Sequence, residues 1–233
     1  MKEVCIVSYT RTPMGSFGGS LSSISATKLG SIAIKGAVEK INLDPNEIEE
    51  VYMGNVISAG LGQAPAKQAA IFAGLNENTP CTTINKVCSS GMKAIMIGAQ
   101  SIALGDNNIV VVGGMENMSS IPFYMKDIRT GKKLGHTKVQ DGLLIDGLTD
   151  VYDDVHMGVC AELCAEKMNI SREEQDEFAL NSYTKSENAW KSGFFKNEIT
   201  AVKIQSRKGE HLVDQDEEFK NINIEKFKKL RPV

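Results

Sequence analysis

Residues 82–114 read TTINKVCSSGMKAIMIGAQSIALGDNNIVVVGG, and this stretch decides the fold. Thr82 to Val87 is a strand candidate. Ser89 to Leu104 is apolar almost all round, which predicts a helix buried on every side. After the turn at 105–108, the β-branched run 109–112 predicts a strand in a sheet covered on both faces. A strand, a helix and a strand in this order predict a layered α/β domain.

The preceding residues repeat this alternation. Val4 to Ser8 and Val51 to Ile57 are strand candidates, and Thr27 to Ile41 has the apolar spacing of a helix. The apolar face of that helix would comprise Leu29, Ile32, Ala33, Ala37 and Ile41. Pro65 opens a further helix, since proline is favoured in the first turn.

The character of the chain changes after Gly114. Ser119 to Asp154 is rich in glycine and has little periodicity, and a long irregular span inside a compact protein is usually functional. A helix is expected from His156. Ser171 and Glu174 have the spacing of a capping box, which predicts a second helix behind them. Ile199 to Ile204 is a strand candidate.

Composition narrows the class of protein. Of 233 residues, 42% are hydrophobic and 24% charged, which are globular values and exclude disordered and collagen-like chains. The net charge of -3 argues against a nucleic-acid binder. No uninterrupted apolar run reaches the ~18 residues of a membrane helix, and the N-terminus lacks the apolar region of a signal peptide. We therefore expect a cytoplasmic protein or a mature organellar form.

The five cysteines are an odd number and lie far apart, which argues against a disulfide framework and favours a reducing compartment. Cys160 and Cys164 lie one helical turn apart and could supply half a metal site, but small residues on a packed face are the better interpretation. Cys5 and Cys81 we interpret as structural. The three histidines do not cluster with the thiols, so a structural zinc site is not expected.

Cys88 is the most informative residue. It lies between a strand and a helix, where the positive end of the helix dipole favours a thiolate. Ser89, Ser90 and Gly91 leave room for a substrate, and the backbone N–H of Cys88 could bind an oxyanion. The alternative is a buried, inert cysteine.

Three other features have two interpretations each. Gly15 to Gly19 and Gly60 to Pro65 could bind phosphate, but tight turns at strand ends fit them better. His156 could be a general base or a structural hydrogen-bonding residue. A basic cluster near the C-terminus could hold a phosphorylated ligand or be solvated surface; it comprises Lys220, Lys226, Lys228, Lys229 and Arg231.

Residues 85–94, NKVCSSGMKA, resemble the nucleophile segment of the thiolases, the acetyl-CoA acetyltransferases. Further segments similar to the family are 11–19, 63–70, 113–119, 146–150 and 156–158. The likeness is collinear from residue 2 to 233. The pair His156 and Met157 favours the biosynthetic, acetoacetyl-CoA type over the long-chain degradative type.

The resemblance implies a thiolase-like α/β/α first half over residues 1–118, with a sheet between helices. It also implies an irregular α+β loop domain over 119–233 that covers coenzyme A and is incomplete at its C-terminal end. Cys88 would take an acetyl group from acetyl-CoA, with its backbone N–H in the oxyanion hole, and acetoacetyl-CoA would be the product. The resemblance further implies a homotetramer or homodimer in lipid metabolism, without nucleic acid, membrane or tightly bound cofactor.

Coenzyme A contacts follow from the same resemblance. The matching positions are Leu148, Tyr152, His156 and Met157 along the pantetheine, and Asn221, Ile222, Asn223 and Lys226 around the adenine and 3′-phosphate. Tyr152 matches a tyrosine that contacts both coenzyme A and a potassium ion in potassium-activated members. At Asn221 and Asn223 the family carries charged residues, so this chain departs from the pattern there.

A second departure concerns catalysis. Thiolases have two similar halves, and the second half supplies a Gly-His-Pro histidine, an Asn-Glu-Ala-Phe segment and a second cysteine, none of which occurs here. We therefore expect this chain to be a catalytically incomplete portion, inactive alone. The alternatives are a non-catalytic module that binds coenzyme A or a partner, and a ketoacyl-synthase relative with the same nucleophile.

Overall fold

The structure, a computed structural model, describes residues 2–206, 209–227 and 229–232. Helices in these ranges are Ala26–Lys40 (α1), Pro65–Phe72 (α2), Ser90–Leu104 (α3), Met157–Met168 (α4), Arg172–Lys191 (α5) and Ile224–Phe227 (α6). Strands are Glu50–Gly54 (β1), Cys81–Ile84 (β2), Val110–Gly114 (β3), Phe123–Tyr124 (β4), Gln140–Asp141 (β5), Thr149–Asp150 (β6), Val155–His156 (β7), Val202–Ser206 (β8) and Gly209–Val213 (β9).

A parallel sheet in the order β2-β1-β3 organises the N-terminal part. β1 is the central strand: Val51 lies opposite Cys81 on one side and Val111 on the other. Helices α1 and α2 pack on one face of the sheet and α3 packs on the other. The predicted α/β layering, with a sheet between helices, is confirmed.

Successive side chains of β1 point to opposite faces of the sheet. Val51 and Met53 are 0% and 2% exposed and join the core beneath α1 and α2. Tyr52 points the other way, towards α3. A Cβ atom on Gly98 would lie only 2.4 Å from the Val112 side chain, so glycine at this position lets α3 lie directly on the sheet.

Helix α1 occupies the predicted region, but its predicted apolar face is wrong. Ser25 caps the helix, accepting the Lys28 N–H at 3.3 Å. The buried residues are Ala26, Thr27, Gly30, Ser31, Ile34 and Val38. Leu29 and Ile32, from the predicted face, instead pack on a second cluster with β8 and β9. The helix packs between two apolar clusters, and its sequence alone does not show which side chains face which cluster.

Helix α3 is not buried on every side, contrary to prediction. Met92, Ile95 and Met96 are 68%, 44% and 50% exposed, because the sheet covers one face of the helix only. By length and composition alone, Val87–Leu104, with mean hydropathy 1.3, could cross a membrane, contrary to prediction. Core helices of soluble proteins meet the same criteria.

The predicted strand Val4 to Ser8 is wrong. The segment pairs with no strand among the described residues, and Ile6 and Val7 are 78% and 72% exposed. A groove of about 620 Å³ is lined both by this segment and by β3. Ser8 and Thr10 instead donate their hydroxyls to carbonyls of α1 at 2.7 Å.

The C-terminal part returns to the N-terminal part. Arg11 forms an isolated bridge with Ile199. The strand predicted over Ile199 to Ile204 lies at Val202–Ser206 instead. The capping box at Ser171 is confirmed, with reciprocal hydrogen bonds to Glu174. Val202, Ile204 and Val213 of the β8–β9 hairpin form a small core with Leu21. The parts on either side of the predicted boundary at residue 118 therefore share a packed surface, and the boundary itself stays a prediction.

Candidate active site

Cys88 follows a tightly bonded turn at the carboxyl end of β2. Asn85 Oδ1 accepts the Val87 N–H at 2.9 Å, and Ser90 Oγ accepts the Lys86 N–H at 2.8 Å. Ser90 also donates its hydroxyl to the Val87 carbonyl at 2.5 Å. Val87 has φ 49°, the left-handed region that β-branched residues rarely adopt. Local hydrogen bonds therefore hold a strained turn immediately before the thiol.

The thiol of Cys88 is exposed and precedes α3 by two residues. No side chain caps the first turn of α3, although the Ser90 N–H at its start donates to the Val87 carbonyl at 3.0 Å. The predicted placement of Cys88 at a strand-to-helix turn is confirmed, and the alternative of a buried thiol is wrong. Its role as nucleophile stays a prediction.

A cavity of about 440 Å³ adjoins this turn. Its lining brings Cys88 together with Glu116 and Leu148, residues from three distant parts of the chain. Leu148 ends a wide helical turn, Leu144–Leu148, that Tyr124 holds by donating its hydroxyl to Asp146 at 2.6 Å. Leu148 lines this cavity, and the other predicted coenzyme A contacts do not.

Tyr152, His156 and Met157 lie beyond the cavity, on the β6–β7 hairpin and the start of α4. Tyr152 is 92% exposed at the hairpin tip. His156 Nδ1 accepts the Gly158 N–H at 2.9 Å and caps α4. This favours the structural interpretation of the histidine over the general base.

The residues predicted around the nucleotide include Asn221, which contacts Ser16 from the N-terminal part of the chain. Asn221 donates its amide to Ser16 Oγ at 2.9 Å, and Asn223 Oδ1 accepts the Lys226 N–H at 3.0 Å. Ile222 is half-buried between them. None of these four residues lines the cavity beside Cys88. Lys228, from the predicted basic cluster, lies outside the described residues.

Glu116 was missed by the sequence interpretation. Its Oε2 accepts the Val56 N–H at 2.8 Å and its Oε1 accepts the Asn55 amide at 3.1 Å. Burial raises the pKa of this carboxyl, although these donors oppose the shift. Its position could have indicated it from the sequence, because it lies two residues after a strand, where α/β proteins place functional side chains.

The two glycine patterns are turns, as preferred in the sequence interpretation. In the first, the N–H groups of Ser16 and Ser20 donate to the Glu217 carboxylate, at 2.7 and 3.1 Å. The chain's own carboxylate thus occupies the place that a phosphate would need. In the second, Gln68 donates to the carbonyls of Leu61 and Gln63.

Comparison with known proteins decides the family. A profile described as the N-terminal domain of thiolase matches residues 4–233. The chain belongs to the thiolase family. It is 55% identical over 235 residues to the mitochondrial acetyl-CoA acetyltransferase of Xenopus tropicalis, covering 100% of this chain and 55% of that protein.

Other relatives agree with this thiolase assignment. The acetyl-CoA acetyltransferase of Schizosaccharomyces pombe is 54% identical over 99% of this chain and 59% of its own length. The human mitochondrial acetyl-CoA acetyltransferase is 53% identical over 100% of this chain and 54% of its own length. The chain thus spans roughly half the length of the curated relatives it matches.

The described part of this thiolase chain contains no group of three or more histidine, cysteine or acidic residues able to hold a metal ion. A potassium site needs several oxygens around one point. The phenol of Tyr152, 92% exposed at a hairpin tip, is not enclosed in that way. Potassium binding at Tyr152 stays a prediction.

The remaining cysteines differ from Cys88 in their surroundings. Burial raises the pKa of Cys81, which keeps that thiol neutral and agrees with a structural role. Cys160 is partly buried, whereas Cys164 and Cys5 are exposed. The prediction that Cys160 and Cys164 lie on one packed face is therefore wrong. Exposed thiols in the same chain provide internal references for the reactivity of Cys88.

Proposed function

We propose that this chain is the nucleophile-bearing portion of an acetyl-CoA C-acetyltransferase. The observation that carries the proposal is the placement of Cys88: an exposed thiol at an uncapped helix start, opening into a cavity shared with Leu148. The names of the relatives, all acetyl-CoA acetyltransferases, support the reaction class.

In the first half-reaction the Cys88 thiolate attacks the carbonyl carbon of acetyl-CoA. The carbonyl oxygen becomes an oxyanion that the backbone N–H of Cys88 and the field of α3 stabilise. Collapse expels the coenzyme A thiolate and leaves acetyl-Cys88. One thioester replaces another of similar energy, so the step is reversible.

In the second half-reaction another acetyl-CoA loses a proton from its α-carbon. The resulting carbanion attacks the acetyl-Cys88 carbonyl, forming the new C–C bond of acetoacetyl-CoA and releasing the Cys88 thiolate. Removal of the α-proton requires a positioned base. His156 instead caps α4, and in thiolases a histidine and a cysteine of the second half supply the acid/base, so we propose that the chain alone is inactive for condensation.

Binding, assembly and location complete the proposal. The β6–β7 hairpin, with Tyr152, His156 and Met157, would contact the pantetheine, and residues 221–226 would contact the nucleotide. The exposed apolar residues of α3 support association into a dimer or tetramer. A cytoplasmic location in lipid metabolism stays our proposal, and the mitochondrial relatives support the organellar alternative.

Acetyl transfer tests the proposal directly. The chain is incubated with acetyl-CoA at neutral pH, quenched in acid and mapped by mass spectrometry. We expect slow acetylation at Cys88, no acetylation of this peptide in Cys88→Ser, and no acetoacetyl-CoA. Acetylation spread equally over Cys5, Cys88 and Cys164 would contradict the nucleophile assignment, and condensation at ordinary enzymatic rates would contradict the proposed inactivity.

A further inference from the structure

Val56 connects Glu116 to the turn that precedes Cys88. Its N–H donates to Glu116 Oε2 at 2.8 Å, and its carbonyl accepts the Asn85 amide at 2.9 Å. Asn85 also accepts the Val87 N–H at 2.9 Å. A continuous set of hydrogen bonds therefore runs from the Glu116 carboxylate, through Val56 and Asn85, to the residue beside the thiol.

Asn55 strengthens the Glu116 end of this connection. Its side chain is buried, and its amide donates both to Glu116 Oε1 and to the Met115 carbonyl, each at 3.1 Å. Its Oδ1 accepts the hydroxyl of Ser58 at 2.5 Å. Because these groups are satisfied together, their hydrogen bonds hold residues 55–57, which line the cavity, in place.

These hydrogen bonds determine the left-handed backbone conformation of Val87. A β-branched residue in the left-handed region is strained and persists only where its surroundings determine its conformation. Two such determinants are visible: Ser90, within the turn, and Asn85, which is itself held by Val56. Loosening Val56 would remove the second determinant.

We propose that Glu116 is a positioning residue for Cys88, acting through Val56 and Asn85 to hold the thiol at the start of α3. The inference rests on the proposed nucleophilic role of Cys88. It assigns to Glu116 no contact with the acyl group, and it explains why a partly buried carboxylate lies on the cavity wall.

The test is the alkylation rate of Cys88 by iodoacetamide, followed by peptide mapping, in the whole 233-residue chain. At pH 7 we expect the rate to fall about threefold in Glu116→Ala, because the thiolate loses the helix-end field. Glu116→Gln keeps the length and one acceptor, so a smaller fall is expected. Loss of negative charge alone would have the opposite sign, since it favours the thiolate and accelerates the reaction.

Two further variants make the result specific. Asn85→Ala, at an exposed position, should slow Cys88 by a similar factor, and combining it with Glu116→Ala should add little, because both act on the same connection. Glu217→Gln removes another carboxylate that accepts backbone N–H groups, away from this cavity, and should leave the Cys88 rate unchanged.

Comparison of Cys88 with Cys164 in the same chain separates positioning from general stability. In Glu116→Ala the alkylation rate of Cys88 should fall relative to that of Cys164, and Glu116→Gln should restore most of it. A variant that lowers the melting temperature while the Cys88 rate stays unchanged would overturn the inference. If Cys88 in the unaltered chain reacts no faster than Cys164, the proposed function itself fails.

Discussion

Gly54, at the end of β1, lies directly against Gly91, in the first turn of α3. A Cβ atom on Gly54 would stand 2.5 Å from the Gly91 nitrogen and 2.5 Å from the Ser90 carbonyl carbon, distances that real Cβ atoms do not show. The start of α3, and with it the Cys88 turn, therefore rests on the end of the central strand. The close approach requires a residue without a side chain at position 54.

Gly54→Ala should displace the start of α3 and destabilise the protein. Overpacking of this kind costs about 1–3 kcal/mol. Denaturant unfolding measures the loss, and the alkylation rate of Cys88 measures the displacement. Gly91→Ala is the matched control, because a Cβ there would meet its nearest neighbour, Gly114, at an ordinary 3.6 Å. Equal effects of the two substitutions would contradict this account.

Tyr124 should titrate at unusually high pH. The hydrogen bond that it donates to Asp146, together with burial, raises the pKa of Tyr124 to about 12. The folded pKa exceeds the unfolded value of about 10, so this stabilisation is present below about pH 10 and lost as the pH rises through the folded pKa. The tyrosinate absorbance of the unaltered chain minus Tyr124→Phe should show a transition near pH 12.

Tyr152→Phe is the control for that titration. Tyr152 is 92% exposed, so its removal should leave the high-pH transition in place. A transition that survives in Tyr124→Phe would show that the assignment to Tyr124 is wrong. Because Asp146 lies in the turn that carries Leu148, Tyr124→Phe also tests how firmly that wall of the cavity is held.

Acid should weaken the contact between the two ends of the chain. Asp216 is 5% exposed and accepts two hydrogen bonds from Arg11, at 2.7 and 3.1 Å. Burial alone would raise the pKa of Asp216, but the donors Arg11, Met14 N–H and Trp190 outweigh it and lower the pKa. The stabilisation is therefore present above the unfolded pKa of about 4 and lost as the pH falls through the folded one.

Asp216→Asn should lower the free energy of unfolding by about 2 kcal/mol at neutral pH, less than for a fully buried pair because the Arg11 side chain is 29% exposed. Denaturant unfolding at several pH values measures this difference, which should shrink below about pH 4. The exposed neighbour Asp214 provides the control, Asp214→Asn, with little effect expected. A difference that stays constant with pH would contradict the ion-pair explanation.

Local features of this chain were predictable from its sequence. The helix at Pro65, the capping box at Ser171 and the strand-to-helix turn at Cys88 depend on residues close together in the chain, and the structure has all three. The α/β layering followed from the alternating order of strands and helices before residue 115. Recognition of the thiolase motifs then placed Cys88 in a chemical context that its local pattern alone left open.

Features that depend on distant partners were not predictable. Val4 to Ser8 has a strand composition, but a strand needs an edge to pair with, and composition does not say whether one is in reach. The burial of α3 was overestimated because an apolar helix does not reveal how many neighbours it has. Glu116 escaped attention because its contacts, Val56 and Asn55, lie 60 and 61 residues away.

Binding of coenzyme A separates the two interpretations of this chain. The proposed contacts lie in different places: Leu148 in the Cys88 cavity, the β6–β7 hairpin beyond it, and residues 221–226 beside Ser16. Calorimetry with coenzyme A should therefore show weak binding or none if the chain is an incomplete portion of a thiolase. Tight binding without turnover would instead support a non-catalytic binding module. Leu148→Ala and Tyr152→Ala would then distinguish the cavity from the hairpin as the site of contact, since a ligand held in the cavity loses affinity only in the first variant.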